Sequence, residues 1–262
     1  MNYLELNKVY QADVFDFLST LENDSVGLAI IDPPYNLGKG KWDTFKTEKE
    51  YFDFTFRWID ALMPKLKKNA SLYLFNTAYN SAIILNYLRT KDLIFKNWIT
   101  WYKKDGFSST RKKYVNAQET ILFFTRSNDY IFNCDDIRQP YLSTDRMLHA
   151  TKKGILKNGK RWFPNENGKL CNDVWEITSQ RHKEKVNGKI KMPPHPTVKP
   201  QEMIERIVKA SSCQETLVLD LFSGSGMTSR VAKRLNRSFI GCELNEEYIK
   251  FIEGEGIAIG RL

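Results

Sequence analysis

The chain is predicted to be an α/β protein, a largely parallel sheet covered by helices on both faces. Three observations carry that expectation. Short wholly apolar runs alternate with longer stretches of helical periodicity, as in parallel strands buried on two sides. Two of those runs end in turn chemistry that stops a strand abruptly, Asp32-Pro33-Pro34 and Ser223-Gly224-Ser225-Gly226. The 262 residues, 42% of them hydrophobic, are enough to bury a full core, in one large domain carrying an insertion or equally in two domains.

Along the chain, Val26-Gly27-Leu28-Ala29-Ile30-Ile31 reads as a buried strand stopped by prolines, which cannot continue a ladder. Residues 48–68 place Phe52, Phe56, Ile59, Met63 and Leu66 at helical spacing, with Pro64 kinking or ending the helix. Strands are expected at 71–76, 97–102 and 119–125. From 126 to 192 the rhythm fails, and the chain becomes rich in Lys, Asn, Gly and isolated aromatics such as Trp162, Phe163 and Trp175. So long a stretch without periodicity suits a functional segment or a separate small unit. Regular structure resumes with a helix at 201–211, a strand at 216–222, a helix at 227–236, a strand at 239–243 and a helix from 245.

Charge narrows the partners. The net charge is +9, and residues 151–192 hold eleven Lys/Arg against four Asp/Glu, while residues 103–113 hold five against one. Basic charge gathered into two segments suits a polyanion, although a solvated basic loop has the same composition. Candidate phosphate contacts are Lys152, Lys153, Lys157, Lys160 and Arg161, with Arg111, Lys112 and Lys113 in the second segment. No run approaches the roughly 20 apolar residues of a membrane span. The start Met1-Asn2-Tyr3-Leu4-Glu5 lacks a signal-peptide pattern, so a cytoplasmic protein is expected. Cys134, Cys171, Cys213 and Cys242 are far apart, as are His149, His182 and His195; neither disulfides nor a metal site is expected.

The segment Leu217-Val218-Leu219-Asp220-Leu221-Phe222-Ser223-Gly224-Ser225-Gly226 runs from an apolar strand through a glycine turn into a helix. Its glycines permit a tight turn and close approach of a ligand to the backbone. About twenty residues on, the next strand ends in Glu243, whose carboxylate can accept both hydroxyls of a ribose. Ser229 stands where the third glycine of a dinucleotide fingerprint would be, and no Gly-Lys-Ser/Thr follows, so neither NAD nor a P-loop nucleotide is favoured. A packing turn remains the ordinary alternative.

Asp32-Pro33-Pro34-Tyr35 suits chemistry on an exocyclic base amine, a poor nucleophile because its lone pair is delocalised into the ring. Asp32 and the Pro33 carbonyl can accept its two N–H bonds and favour a tetrahedral nitrogen, with the prolines fixing where the carbonyl points. Tyr35 can stack on a base turned out of a duplex. A methyl group would then pass in line from a sulfonium, the gain coming from orientation of the two reactants. A proline turn with a capping Asp is the alternative for this motif alone.

The D-P-P-Y, the basic middle and the F-x-G-x-G turn occur here in that order. In this order and these motifs the chain resembles the beta group of DNA amino-methyltransferases of restriction-modification systems, over nearly its whole length except the middle. The resemblance implies a permuted S-adenosylmethionine-dependent methyltransferase fold, a mostly parallel seven-stranded sheet with one antiparallel strand. It implies a catalytic and cofactor-binding domain at 1–125 and 193–262, and a target-recognition insertion at 126–192. His195-Pro196-Thr197-Val198-Lys199-Pro200 resembles the family element that lines the methionine end of the cofactor, with Lys199 near its carboxylate. Asp13, in Gln11-Ala12-Asp13, resembles the strand-end acid that contacts the cofactor's adenine ring. Phe123 and Phe124 resemble aromatics near the extruded base, and core packing explains them equally well. The activity implied is transfer to N6 of adenine in duplex DNA. Cytosine-N4 enzymes usually carry Ser in place of Asp32, and C5-cytosine chemistry needs a Pro-Cys thiolate that is absent here. An RNA methyltransferase would use the same amine chemistry, whereas a non-catalytic DNA-binding protein would have no need of an intact Asp32, Gly224 and Gly226. Homodimers and a cognate endonuclease also occur in such systems.

Overall fold

The computed structural model describes residues 4–107, 111–179, 184–186, 189–191 and 195–262. Met1 to Tyr3, His182 and Met192 lie outside the described residues. The strands in chain order are β1 (Lys8–Gln11), β2 (Val26–Ile31), β3 (Leu66–Asn76), β4 (Ile94–Phe107), β5 (Asn116–Thr125), β6 (Ile155–Lys157), β7 (Lys160–Trp162), β8 (Val174–Glu176), β9 (Glu184–Val186), β10 (Lys189–Lys191), β11 (Leu217–Asp220), β12 (Ser238–Glu243) and β13 (Ala258–Arg261). The helices are α1 (Val14–Thr20), α2 (Glu48–Leu62), α3 (Ala78–Leu88), α4 (Thr144–Lys153), α5 (Gln201–Ser211), α6 (Met227–Arg234) and α7 (Glu246–Gly254).

Nine strands form the main sheet in the order β13-β1-β12-β11-β2-β3-β5-β4-β8. Every pairing is parallel except the two made by β5. The mostly parallel sheet with a single antiparallel strand is therefore present. The seven central strands are flanked by two short edge strands, β13 and β8, which extend the expected seven to nine. Pro64 ends α2 as expected, in a 3-10 turn whose next residue opens β3.

β2 and β11, at the middle of the sheet, each feed two cores, which is why they read as continuous apolar runs rather than alternating. Leu217 and Leu219 of β11 pack with Phe17, Trp58, Leu62 and Ile84 of α1–α3 on one face. Val218 packs with Met203, Ile207, Val231 and Ile252 of α5–α7 on the other. Phe123 and Phe124 fall into opposite cores: Phe123 stacks on Tyr73 at 4.3 Å, and Phe124 meets Phe95 edge-on. Of the two readings of this pair, core packing is the one the structure supports.

The chain crosses over one face from β2 through α2 to β3, and over the other from β11 through α6 to β12, moving in opposite directions across the sheet. The order reverses between β2 and β11, and a crevice outside the carboxyl ends of the strands is expected at such a point. Both sequence motifs begin there.

Candidate active site

Asp32 directly follows β2, Asp220 ends β11, Glu243 ends β12, and Asp13 lies just past β1. These four strands are adjacent and parallel, so the four acids share one rim. The proline corner and the glycine bend meet there: Asp32 and Phe222 line the same cavities.

On the glycine side, Gly224 and Gly226 adopt φ of +50° and +73°, left-handed values that favour glycine. A Cβ on Gly224 would also press on the His195 ring at 3.1 Å. The bend is fastened by hydrogen bonds from the Phe222 N–H to Asp220 Oδ1 (3.1 Å) and from the Gly226 N–H to the Ser223 carbonyl (2.6 Å). Burial pushes the Asp220 carboxyl up to about 7, against the opposing hydrogen bonds from Thr228 and the Phe222 N–H. Glu243 accepts the Gly224 N–H on Oε2 and the Asn245 N–H on Oε1, each at 2.8 Å. Each oxygen keeps a lone pair, so the carboxylate is held in place and can still accept two hydroxyls. Asp13 caps α1 by accepting the Phe15 N–H at 2.8 Å.

Gly224 lines a cleft of about 320 Å³ whose apolar walls include Phe45, Phe54, Phe222, Leu244, Tyr248 and Trp42, with Asp13, Glu243 and Asp32 among its acids; Asp220 lies behind it, on a narrower recess. Such a donor set fits a purine nucleoside with a cationic tail: aromatic and aliphatic walls for the base, a fixed carboxylate for the ribose, and Asp32 toward the reacting end. His195 stands between Trp42 (5.3 Å, stacked) and Tyr248 (4.9 Å, edge-on). Burial lowers its pKa to about 4, opposed by the Asp32 charge, so the imidazole is neutral at physiological pH. Ser223, Ser225 and Thr197 line that narrower recess against Asp32, whereas Pro196 lines neither this recess nor the larger cleft.

On the proline side, a second cleft of about 340 Å³ is lined by Asp32, Pro33, Tyr35, Trp42, Lys103, Asn116, Glu119, His195 and Lys199. Asp32 Oδ1 accepts the Tyr35 hydroxyl at 2.8 Å, and Oδ2 accepts the Lys199 ammonium at 2.7 Å. Glu119 Oε2 lies 3.4 Å from Lys199 Nζ and 3.2 Å from the Tyr35 hydroxyl, while its Oε1 is paired with Lys103. Lys199, 8% exposed, is placed by the start of α5. Burial would lower its pKa, but the Asp32 and Glu119 carboxylates more than offset this and hold it above the usual lysine value. Burial, reinforced by the same carboxylates, raises the Tyr35 phenol well above its ordinary value. The loop after Tyr35 is organised by Asp43, only 1% exposed, which accepts the N–H groups of Tyr35, Asn36, Leu37 and Lys39.

The expected site residues thus mostly converge, with one redistribution. Lys199, expected beside a cofactor carboxylate, is aimed at Asp32 and Glu119. Sequence reasoning missed Glu119, Trp42, Asp43, Lys103 and Tyr248. The available signal for Glu119 was its place as the one charge in the strand expected at 119–125; Trp42 and Asp43 sit in a stretch without periodicity, Lys103 at a strand end, and Tyr248 on a helix face that reads as core.

The basic residues divide. Arg111, Lys112 and Lys113 are exposed in the loop between β4 and β5, on the rim that carries Asp32. Lys152 and Lys153 end α4, and Lys157, Lys160 and Arg161 lie on the exposed β6–β7 hairpin. The chain entering and leaving that unit is pinched together where Gln139 bridges Lys169, and Arg161 is bonded internally to the Lys153 carbonyl. Among the described residues no group of His, Cys, Asp and Glu could hold a metal ion. None of the described helices is long and apolar enough to cross a membrane.

A doubly wound sheet with a proline–acid corner and a glycine bend facing each other across its switch point defines a nucleoside-dependent group-transfer site. Residues 26–254 match the family model for DNA methylase, of the N6 and N4 methyltransferases, and the chain belongs to that enzyme family. It is 57% identical over 246 residues to the Type II methyltransferase M1.MboII of Moraxella bovis, covering 94% of this chain and 95% of that protein. It is 36% identical over 240 residues to the Type II methyltransferase M.HpaI of Haemophilus parainfluenzae, covering 89% of this chain and 68% of that one. Among solved structures, the M1.HpyAVI–SAM complex superposes with a TM-score of 0.61 at 23% identity, covering 95% and 98% of the two chains. The cytosine-N4-specific PvuII DNA methyltransferase superposes with a TM-score of 0.70 at 16% identity, covering 96% and 86%. These two share the fold.

Proposed function

We propose that this chain is a site-specific DNA methyltransferase that transfers a methyl group from S-adenosylmethionine to N6 of adenine, on a base turned out of duplex DNA. One observation carries the reading: Asp32 lines both clefts, so a nucleoside on the glycine side and a base on the proline side would meet at its carboxylate. Bound S-adenosylmethionine supplies an electrophilic methyl on a sulfonium. Glu243 holds the ribose, and Trp42, Phe222 and Tyr248 enclose the nucleoside. Asp32 and the Pro33 carbonyl accept the two amine N–H bonds and turn the nitrogen lone pair toward the methyl. Tyr35 anchors Asp32 through its hydroxyl and offers its ring to the base. No covalent adduct with the protein forms.

The fold does not separate adenine from cytosine, since a cytosine-N4 enzyme superposes well; Asp32 in place of serine is what favours adenine. The basic rim loop and the 126–192 segment read the target, with Lys152, Lys153, Lys157, Lys160, Arg161, Arg111, Lys112 and Lys113 on phosphates. Work in the cytoplasm, beside a cognate endonuclease that needs no contact with this chain, belongs to the same reading, as does a homodimer. The test is mass analysis of nucleosides from duplex DNA and from RNA, each incubated with the protein and S-adenosylmethionine. N6-methyl-2′-deoxyadenosine from the DNA alone is expected; N4-methyl-2′-deoxycytidine, modified RNA or no product would each select one of the rival readings.

A further inference from the structure

We infer that Glu119 is a positioning residue for methyl transfer: by pairing with both Lys103 and Lys199, it keeps the charges around Asp32 balanced and holds Lys199 on that carboxylate. The inference rests on the proposed methyl transfer and adds a residue to it.

Asp32, Lys199, Glu119 and Lys103 form a chain of alternating charge, closed across its carboxylates by the Tyr35 hydroxyl. The side chains of Lys199, Glu119, Lys103 and Asp32 are 8%, 15%, 24% and 24% exposed, so solvent screens them weakly. Glu119 reaches the rim because β5 is the one antiparallel strand of the sheet. Its early residues therefore lie at the level where β3 ends, opposite Asn76 of β3 and Thr100 and Trp101 of β4. Burial would raise the Glu119 carboxyl, yet Lys199 and Lys103 hold it below the usual range, so it carries its charge.

The reason a methyltransferase needs that charge is electrostatic. As the methyl moves from sulfonium to amine, positive charge builds on a nitrogen beside Asp32. With Glu119 neutralised, two ammonium groups would face one carboxylate, and Lys103 would lose the partner that keeps it at the edge of the cleft. An uncompensated cation within a few ångströms opposes the developing charge and competes for Asp32. Loss of one preorganised electrostatic partner of this kind costs on the order of a hundredfold in rate.

The experiment compares single-turnover methyl transfer to duplex DNA by the full chain, by Glu119→Gln and by Glu119→Gln/Lys103→Gln, with S-adenosylmethionine affinity measured by calorimetry. Glu119→Gln is expected to be about a hundredfold slower with cofactor affinity within about threefold. The double variant, again neutral, is expected to recover to within about tenfold of the unaltered protein, a strong non-additivity. Thermal melting checks folding, and if Glu119→Gln does not fold, the double variant decides alone. A Glu119→Gln rate near that of the unaltered protein, or a folded double variant still a hundredfold slow, would overturn the inference. Absence of transfer by the unaltered protein would instead refute the activity on which it rests.

Discussion

Replacing Asp43 with asparagine tests how the Asp32–Tyr35 corner is kept in shape. The Asp43 carboxylate is buried and accepts four backbone N–H groups: Tyr35 and Asn36 on Oδ1 at 2.6 and 2.8 Å, and Leu37 and Lys39 on Oδ2 at 3.0 and 3.1 Å. An asparagine can serve the first pair through its carbonyl, but its amide would then face the second pair donor to donor. Hydrogen bonds to a charged acceptor contribute about 1.5–3 kcal/mol each, neutral ones about 1 kcal/mol. The first pair weakens and the second is lost, though the exposed Leu37 and Lys39 can turn part of that loss over to water. A destabilisation of about 3 kcal/mol is expected, together with a looser loop bearing Trp42. Urea unfolding at unchanged slope gives the stability, and steady-state methylation gives the rise in KM for DNA and cofactor as the loop loosens. A loss under about 1 kcal/mol with unaltered kinetics would refute the role of Asp43 as organiser of the corner.

Three further outcomes are expected. Glu243→Ala removes the fixed ribose acceptor and weakens S-adenosylmethionine binding by about a hundredfold or more, as two hydrogen bonds to a charged group at about 1.5–3 kcal/mol each require; unchanged affinity by calorimetry would exclude that role. Neutralising Lys152, Lys153 and Lys157 together is expected to flatten the slope of log K against log salt for DNA binding by about 2.7, and an unaltered slope would place these lysines away from phosphate. His195, with its pKa lowered to about 4 from 6.5, takes up its proton more readily when unfolded. Its contribution to stability is therefore complete above pH 6.5 and is lost as pH falls toward 4, by at most about 3 kcal/mol. Comparison with His195→Gln by urea unfolding over that range should show the variant falling less steeply; parallel curves would contradict the buried, neutral imidazole.

The parts of the fold legible in the sequence were those whose side chains see two apolar surroundings at once. β2 and α5 appear at their expected bounds, and β11 and β12 within two residues, because strands buried on both faces and strongly amphipathic helices write their position into composition. β1, α1 and α3 escaped notice. β1 is four residues long, α1 seven, and α3 is apolar on most sides, so none shows a clear period. Edge strands β8 and β13 are short, and each sends a single large side chain toward the core, Trp175 and Ile259, which leaves no pattern to read.

The site divided along the same line. Residues within the two motifs were identifiable because backbone geometry at a proline corner or a left-handed glycine restricts which residues can stand there. Glu119 and Lys103 are part of the site through register: only the pairing of β5 with β3 and β4 brings them to the rim that carries Asp32, and register is a property of the assembled sheet. Likewise Trp42 and Tyr248 meet His195 across segments far apart in the chain.

The most direct measurement is single-turnover methyl transfer by Asp32→Ala beside its affinity for S-adenosylmethionine. If Asp32 is where the two clefts join and its carboxylate accepts the amine, cofactor affinity stays within about threefold while transfer falls by roughly a thousandfold or more. Transfer near the rate of the unaltered protein, with cofactor bound as usual, would contradict the account.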